Sequence, residues 1–164
     1  MIKIMSAVEA AKEMKSNPNF WNVISIRDVK HSGFTTNPME GLMGNAIEGI
    51  ELHFDDVWDE KHEKLYGFTM PKKEHVQAAL EFATDKDSLL VHCWAGCSRS
   101  TAMAYVITCM NVEPTEAIKI FTDKHCPNPL VVELGAEILG NPEILTVFEE
   151  YEKRERINDK WKGE

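Results

Sequence analysis

No stretch of this chain is apolar and long enough to span a bilayer, and its opening residues, MIKIMSAVEAAKEMK, are too charged and amphipathic for a signal peptide. Positive charge is in short supply: 18 Lys and Arg stand against 27 Asp and Glu, a formal net charge of −9. That balance excludes nucleic acid and anionic membrane surfaces as general partners. Cysteine is scarce too, four residues at no framework spacing, which excludes a disulfide scaffold and fits a reducing cytoplasm. Internal repeats and low-complexity segments are absent. What remains is an ordinary globular composition, 164 residues and 43% apolar, enough for a single domain over 1–164 with a sizeable core.

Residues 91 to 101 read VHCWAGCSRST and carry the chemistry. A hydrophobic strand, SLLVH, runs into this loop and a helix-forming stretch, RSTAMAYVITCM, leads out of it. A tight loop between strand and helix aims successive N–H groups at one point, with the positive end of the helix dipole behind them. Arg99 at the helix start adds a planar fork that grips two phosphate oxygens at once. The same field favours Cys93 as its thiolate. Trp94, Ala95, Gly96, Cys97, Ser98 and Arg99 therefore form the expected phosphate cradle. A cysteine filling the core accounts for Cys93 alone, not for Gly96, Arg99 and Ser100 in register. A metal site built from His92, Cys93, Cys97, His125 and Cys126 fits structural zinc spacing poorly, and Arg99 would repel the cation. No metal and no cofactor are expected.

H-C-x5-R-S with glycine three positions after the cysteine resembles the signature of the cysteine-dependent protein tyrosine phosphatase superfamily. The AGxSRS form, in a chain this short, is similar to its dual-specificity branch. The resemblance implies a Cys93 nucleophile, a Ser100 hydroxyl beside the sulfur, and a His92 that organises hydrogen bonds behind the loop. It also implies an aspartate general acid after a strand, thirty-odd residues before the cysteine. ELHFDDVWDE holds that place, and the alternation ending in LHFDD assigns Asp56, with Asp55 the close alternative and Asp59 a weaker one. Trp58 can cover the acid or anchor its loop. Asn128, in PNPL, can tie two loops together, although a plain turn between helices explains it as well. His31, His53, His62 and His75 read as surface or loop residues.

Along the chain, IKIM, WNVISIRD, IEGIELHF and SLLVH read as strands. Ser6 with Glu9 has capping-box form and opens a helix through Lys15. Residues 28–45 and the stretch DDVWDEKHEKLYGFTM read as loops. Helices are expected from Pro71 over PKKEHVQAALEFAT, from Arg99 to about Met110, from Pro114 to about Lys124, from Leu130 to about Leu139, and from Pro142 towards Ile157. This is an α/β chain with a short central sheet flanked by helices and a helical C-terminal part.

The expected activity is hydrolysis of phosphate monoesters through a phosphocysteine. The substrate is phosphotyrosine, with phosphoserine or phosphothreonine open, on a phosphorylated protein met by a monomer; a small phosphoester stays open. None of Trp94, Ala95, Cys97 and Ser98 is basic, unlike the lysine-bearing loops of phosphoinositide phosphatases in the family. Two other classes stand beside this one: a phosphate-binding module without turnover, and a redox-active thiol protein pairing Cys93 with Cys97.

Overall fold

A computed structural model describes residues 1–29 and 38–161, with the side chains of all of these except 156–161. His31 and part of the expected 28–45 loop lie outside the described residues. Among the described residues, four parallel strands form one sheet in the order β1-β4-β2-β3: β1 (Ile2–Ser6), β2 (Asn22–Arg27), β3 (Gly49–His53) and β4 (Leu89–Cys93). Parallel strands need crossover helices on their faces, so the inner strands are buried on both sides rather than on alternate residues. β4 obeys this: Leu89, Leu90, Val91, His92 and Cys93 are all buried. At about 1.5–3 kcal/mol for each buried aliphatic side chain, β4 is the strand whose place is least negotiable.

Side-chain alternation then divides the core in two. Ile24, Ile26, Leu89, Val91 and Cys93 face a large cluster built with α3 (Lys73–Ala83), α4 (Arg99–Thr108), α6 (Pro129–Leu139) and α7 (Glu143–Trp161). Val23 and Leu90 face a smaller cluster with Ala10, Ala11 and Met14 of α1 (Ala7–Ser16). The Ser6–Glu9 capping box is present, the Glu9 carboxylate accepting from the Ser6 N–H at 2.8 Å. Gly135 of α6 meets Val106 of α4 so closely that a Cβ there would lie 2.3 Å from a valine methyl. That contact seats α6 hard against the helix that begins with Arg99.

Three elements differ from expectation. Glu60–Tyr66 forms a helix, α2, where a loop is expected. It buries none of its residues and is held by its ends: Asp59 accepts from the Lys61 N–H at 2.8 Å, and Gly67 closes it in the left-handed conformation. α3 begins at Lys73, two residues after Pro71. The helix expected from Pro114 to about Lys124 is one turn, α5 (Pro114–Ala117), continued as a 3₁₀ turn to Ile120.

Candidate functional site

β4 ends at Cys93 and α4 begins at Arg99, so five residues connect the central strand to its helix. The loop curls back on its own sulfur: the Gly96 N–H donates to Cys93 Sγ at 3.3 Å, and Ser100 Oγ lies 3.1 Å from it. Ser98 occupies the N-cap position of α4 and makes no side-chain cap bond. The Ser100 hydroxyl, one turn-position inside the helix, therefore serves the sulfur rather than the helix end. Cys93 is 2% exposed, at the floor of the loop.

Gly96 is where the curl is decided. Its φ is +74°, a region that costs other L-residues roughly 1–2 kcal/mol. A Cβ on it would also lie 2.4 Å from the Ser6 nitrogen and 2.6 Å from the Met5 carbonyl carbon. The junction of β1 and α1 thus forms a wall behind the loop, and the Ala7 N–H donates to the Trp94 carbonyl at 3.1 Å across it. Both obstacles are backbone and cannot rotate away. Gly96→Ala is expected to lower both the melting temperature and the affinity for inorganic phosphate, checked by thermal melts and anion titration; unchanged values for both would contradict the wall.

Arg99 is buried, and its guanidinium is braced from behind. One terminal nitrogen donates to the Phe54 carbonyl at 2.8 Å and pairs with Asp28 Oδ1 at 2.6 Å. Its Nε is buried without a hydrogen-bond partner. An unpaired buried donor is costly, about 1–3 kcal/mol, and is a ready site for an acceptor oxygen. Asp28, just past β2, is a residue that sequence reasoning missed, since nothing local marks a partner 71 positions away.

The two neighbouring aspartates separate cleanly. Asp55 is 3% exposed, and its oxygens accept from the Val29 N–H at 3.1 Å and the Thr69 N–H at 2.8 Å. It ties loops together. Asp56 is exposed and touches the signature loop: the Ser98 hydroxyl donates to its Oδ1 at 2.8 Å, and the Asn128 amide nitrogen donates to the same oxygen at 2.9 Å. Asp59 caps α2. Trp58 is 57% exposed, so it is no buried anchor. Asn128 is fully buried at the N-cap of α6, and the plain-turn reading of PNPL is incomplete, because the residue bridges to Asp56 as well.

His92 lies on the face opposite to Cys93 and is 2% exposed, but neither ring nitrogen finds a hydrogen-bond partner. Burial holds its pKa down to about 4 from an ordinary 6.5, against a weaker upward pull from the Cys93 backbone. The ring is neutral in the fold, whereas the unfolded chain takes up a proton below about 6.5. Stability therefore falls as pH drops from 6.5 towards 4 and levels off below, by roughly 3 kcal/mol at about 1.36 kcal/mol per unit. Urea midpoints at pH 7 and pH 4.5 should differ less for His92→Asn than for wild type; an equal difference would remove His92 from the account.

Burial disfavours the thiolate at two of the other cysteines. Burial raises the pKa of Cys97, and the neighbouring Cys93, Cys126 and Asp56 raise it further. Burial also pushes Cys109 up to about 11. All four cysteines are free. His53 and His62 are exposed as expected, whereas His75 is partly buried on α3, stacked on Phe54 with ring centroids 5.0 Å apart. Among the described residues, no group of three or more His, Cys, Asp or Glu can hold a metal ion, and no helix is long and apolar enough to cross a membrane.

No family model matches the chain, and no curated protein matches it. Its shape does have solved counterparts. A crystal structure of PTPMT1 in complex with PI(5)P superposes with a TM-score of 0.55 at 16% identity, covering 94% of each chain. PTPMT1 alone gives 0.55 at 17% identity, over 93% of this chain and 95% of that one. A human tyrosine phosphatase-like serine/threonine/tyrosine-interacting protein gives 0.50 at 17% identity, over 85% of this chain and 91% of that one. The chain has the fold of the cysteine-dependent tyrosine phosphatases.

Proposed function

We propose that, on this phosphatase fold, residues 1–164 act as one catalytic domain hydrolysing phosphate monoesters through a phosphocysteine. The observation that carries the reading is the Ser98–Asp56 hydrogen bond at 2.8 Å. It sets a carboxyl group against the same loop that carries Cys93 and leads into Arg99, which supports reading the three as acid, nucleophile and cation of one site. Cys93 attacks phosphorus as the thiolate, with Ser100 and the Gly96 N–H holding the sulfur before attack and when it leaves. The loop amides and Arg99 Nε receive the equatorial oxygens as charge develops on them. Asp56 gives a proton to the leaving oxygen, then as carboxylate takes one from the water that hydrolyses the intermediate.

What surrounds the loop bears on the substrate class. One PTPMT1 structure holds PI(5)P, which raises a phosphoinositide reading. The variable positions Trp94, Ala95, Cys97 and Ser98 offer no cation for further phosphates, and the chain as a whole is acidic. This favours a substrate with one phosphate, on tyrosine and secondarily on serine or threonine of a protein. The test is release of phosphate from an aryl phosphate and from phosphotyrosine, phosphoserine and phosphothreonine peptides, with a chelator present throughout. Turnover insensitive to chelator and fastest on phosphotyrosine supports the reading. Turnover lost to the chelator, or confined to inositol phosphates, overturns it.

A further inference from the structure

We propose that Asn128 is a positioning residue for the acid, and that the Asn128–Ser98 pair decides which oxygen of Asp56 carries the transferred proton. The inference rests on Asp56 being the general acid. Asn128 is 0% exposed, and its own carbonyl oxygen is committed: it accepts from the Leu130 N–H at 3.1 Å and the Val131 N–H at 3.2 Å. Those two bonds settle which end of the amide is oxygen and which is nitrogen, because a flipped amide would set donors against donors. The nitrogen is thereby aimed at Asp56 Oδ1, 2.9 Å away. The Ser98 hydroxyl donates to that same oxygen.

Two donors on one carboxyl oxygen have a chemical consequence. The amide nitrogen has no lone pair to accept with, so a proton on Oδ1 would face a donor head-on. Oδ2 makes no hydrogen bond to the described residues. The proton accordingly resides on Oδ2, the oxygen left to meet the substrate. In the first step the S–P bond forms, the P–O bond to the leaving group breaks, and the Oδ2 proton passes to the leaving oxygen. In the second, the water oxygen bonds to phosphorus, the S–P bond breaks, and the water proton returns to Oδ2. Oδ1 keeps the same two donors throughout, so the carboxyl group needs no rotation between steps.

The scaffold makes this aim rigid. Asn128 caps α6, Pro129 begins that helix with φ already set, and Gly135 seats it on α4. The approach to α6 is also tied to the loop itself, the Cys126 N–H donating to the Cys97 carbonyl at 2.9 Å. Nucleophile loop and acid are thus referred to one helix end.

Asn128→Ser keeps a short N-cap acceptor and removes the amide donor. The expected result is a roughly ten- to hundredfold fall in kcat for alkyl phosphates, whose leaving oxygen needs the proton, the size of a lost charge-assisted hydrogen bond. Nitrophenyl phosphate should fall far less, and KM and inhibition by inorganic phosphate should hold. In an Asp56→Ala background Asn128→Ser should cost nothing further, because the two act as a unit. Asn128→Asp, which keeps both shape and cap, should show the same selective loss and serves if the serine variant does not fold. Equal losses on both substrate types, no loss on either, or a loss that persists without Asp56 would overturn the proposal. If Asp56→Ala itself shows no dependence on the leaving group, the acid assignment fails and this inference with it. If Asp56→Ala shows it and the Asn128 variants do not, only this inference fails.

Discussion

Cys93→Ser is expected to abolish turnover of an aryl phosphate while leaving binding of phosphate or vanadate close to wild type. The two halves come from different atoms. Hydrolysis needs a nucleophile strong enough to attack phosphorus, and a serine hydroxyl without a base beside it is not. Binding needs the loop amides and the Arg99 guanidinium, which Phe54 and Asp28 hold in place regardless of residue 93. Cys109→Ser, removing a thiol whose pKa burial has raised to about 11, serves as the control and should leave rates unchanged. Undiminished turnover by Cys93→Ser, measured as phosphate release with an anion titration alongside, would remove Cys93 from the chemistry.

Asp56→Ala is expected to lower kcat for a poor leaving group by about 10²–10⁴, the usual size of general acid–base effects. An ester whose leaving group is already stable as an anion should suffer much less. Asp55→Ala should behave quite differently. Asp55 is buried and bridges the Val29 and Thr69 N–H groups, so its loss strands two donors at about 1–3 kcal/mol each. Its signature is a lowered melting temperature with no dependence on the leaving group. If the leaving-group pattern follows Asp55 and not Asp56, the register of the acid is wrong by one residue.

The choice between these two aspartates shows what the chain reveals on its own. Strand alternation ending in LHFDD brings both to the right place, but what separates them is Thr69, whose backbone binds Asp55 from fourteen residues away and carries no sequence pattern. β4 and its loop are legible because their signals are local: a buried apolar run, a glycine in the left-handed region, an arginine opening a helix. Asn128 and Asp28 act on Asp56 and Arg99 across 72 and 71 positions, by side chains whose types are common in turns. α2 is invisible to a periodicity argument because it has no apolar face; only its Asp59 cap and Gly67 stop announce it. His92 illustrates the reverse limit. Its place behind the loop is readable, yet the burial that holds its pKa down depends on packing that no local pattern marks.

The central claim, a covalent phosphocysteine, is tested most directly by acid-quenching a reaction of Asp56→Ala with nitrophenyl phosphate, whose leaving group needs no proton, so that only hydrolysis of the intermediate should be slowed. The account predicts one phosphate per chain, found on the peptide containing Cys93 and absent from the Cys93→Ser, Asp56→Ala double variant. Steady turnover by wild type with no label on Cys93 at any quench time, or label on another residue, would contradict it.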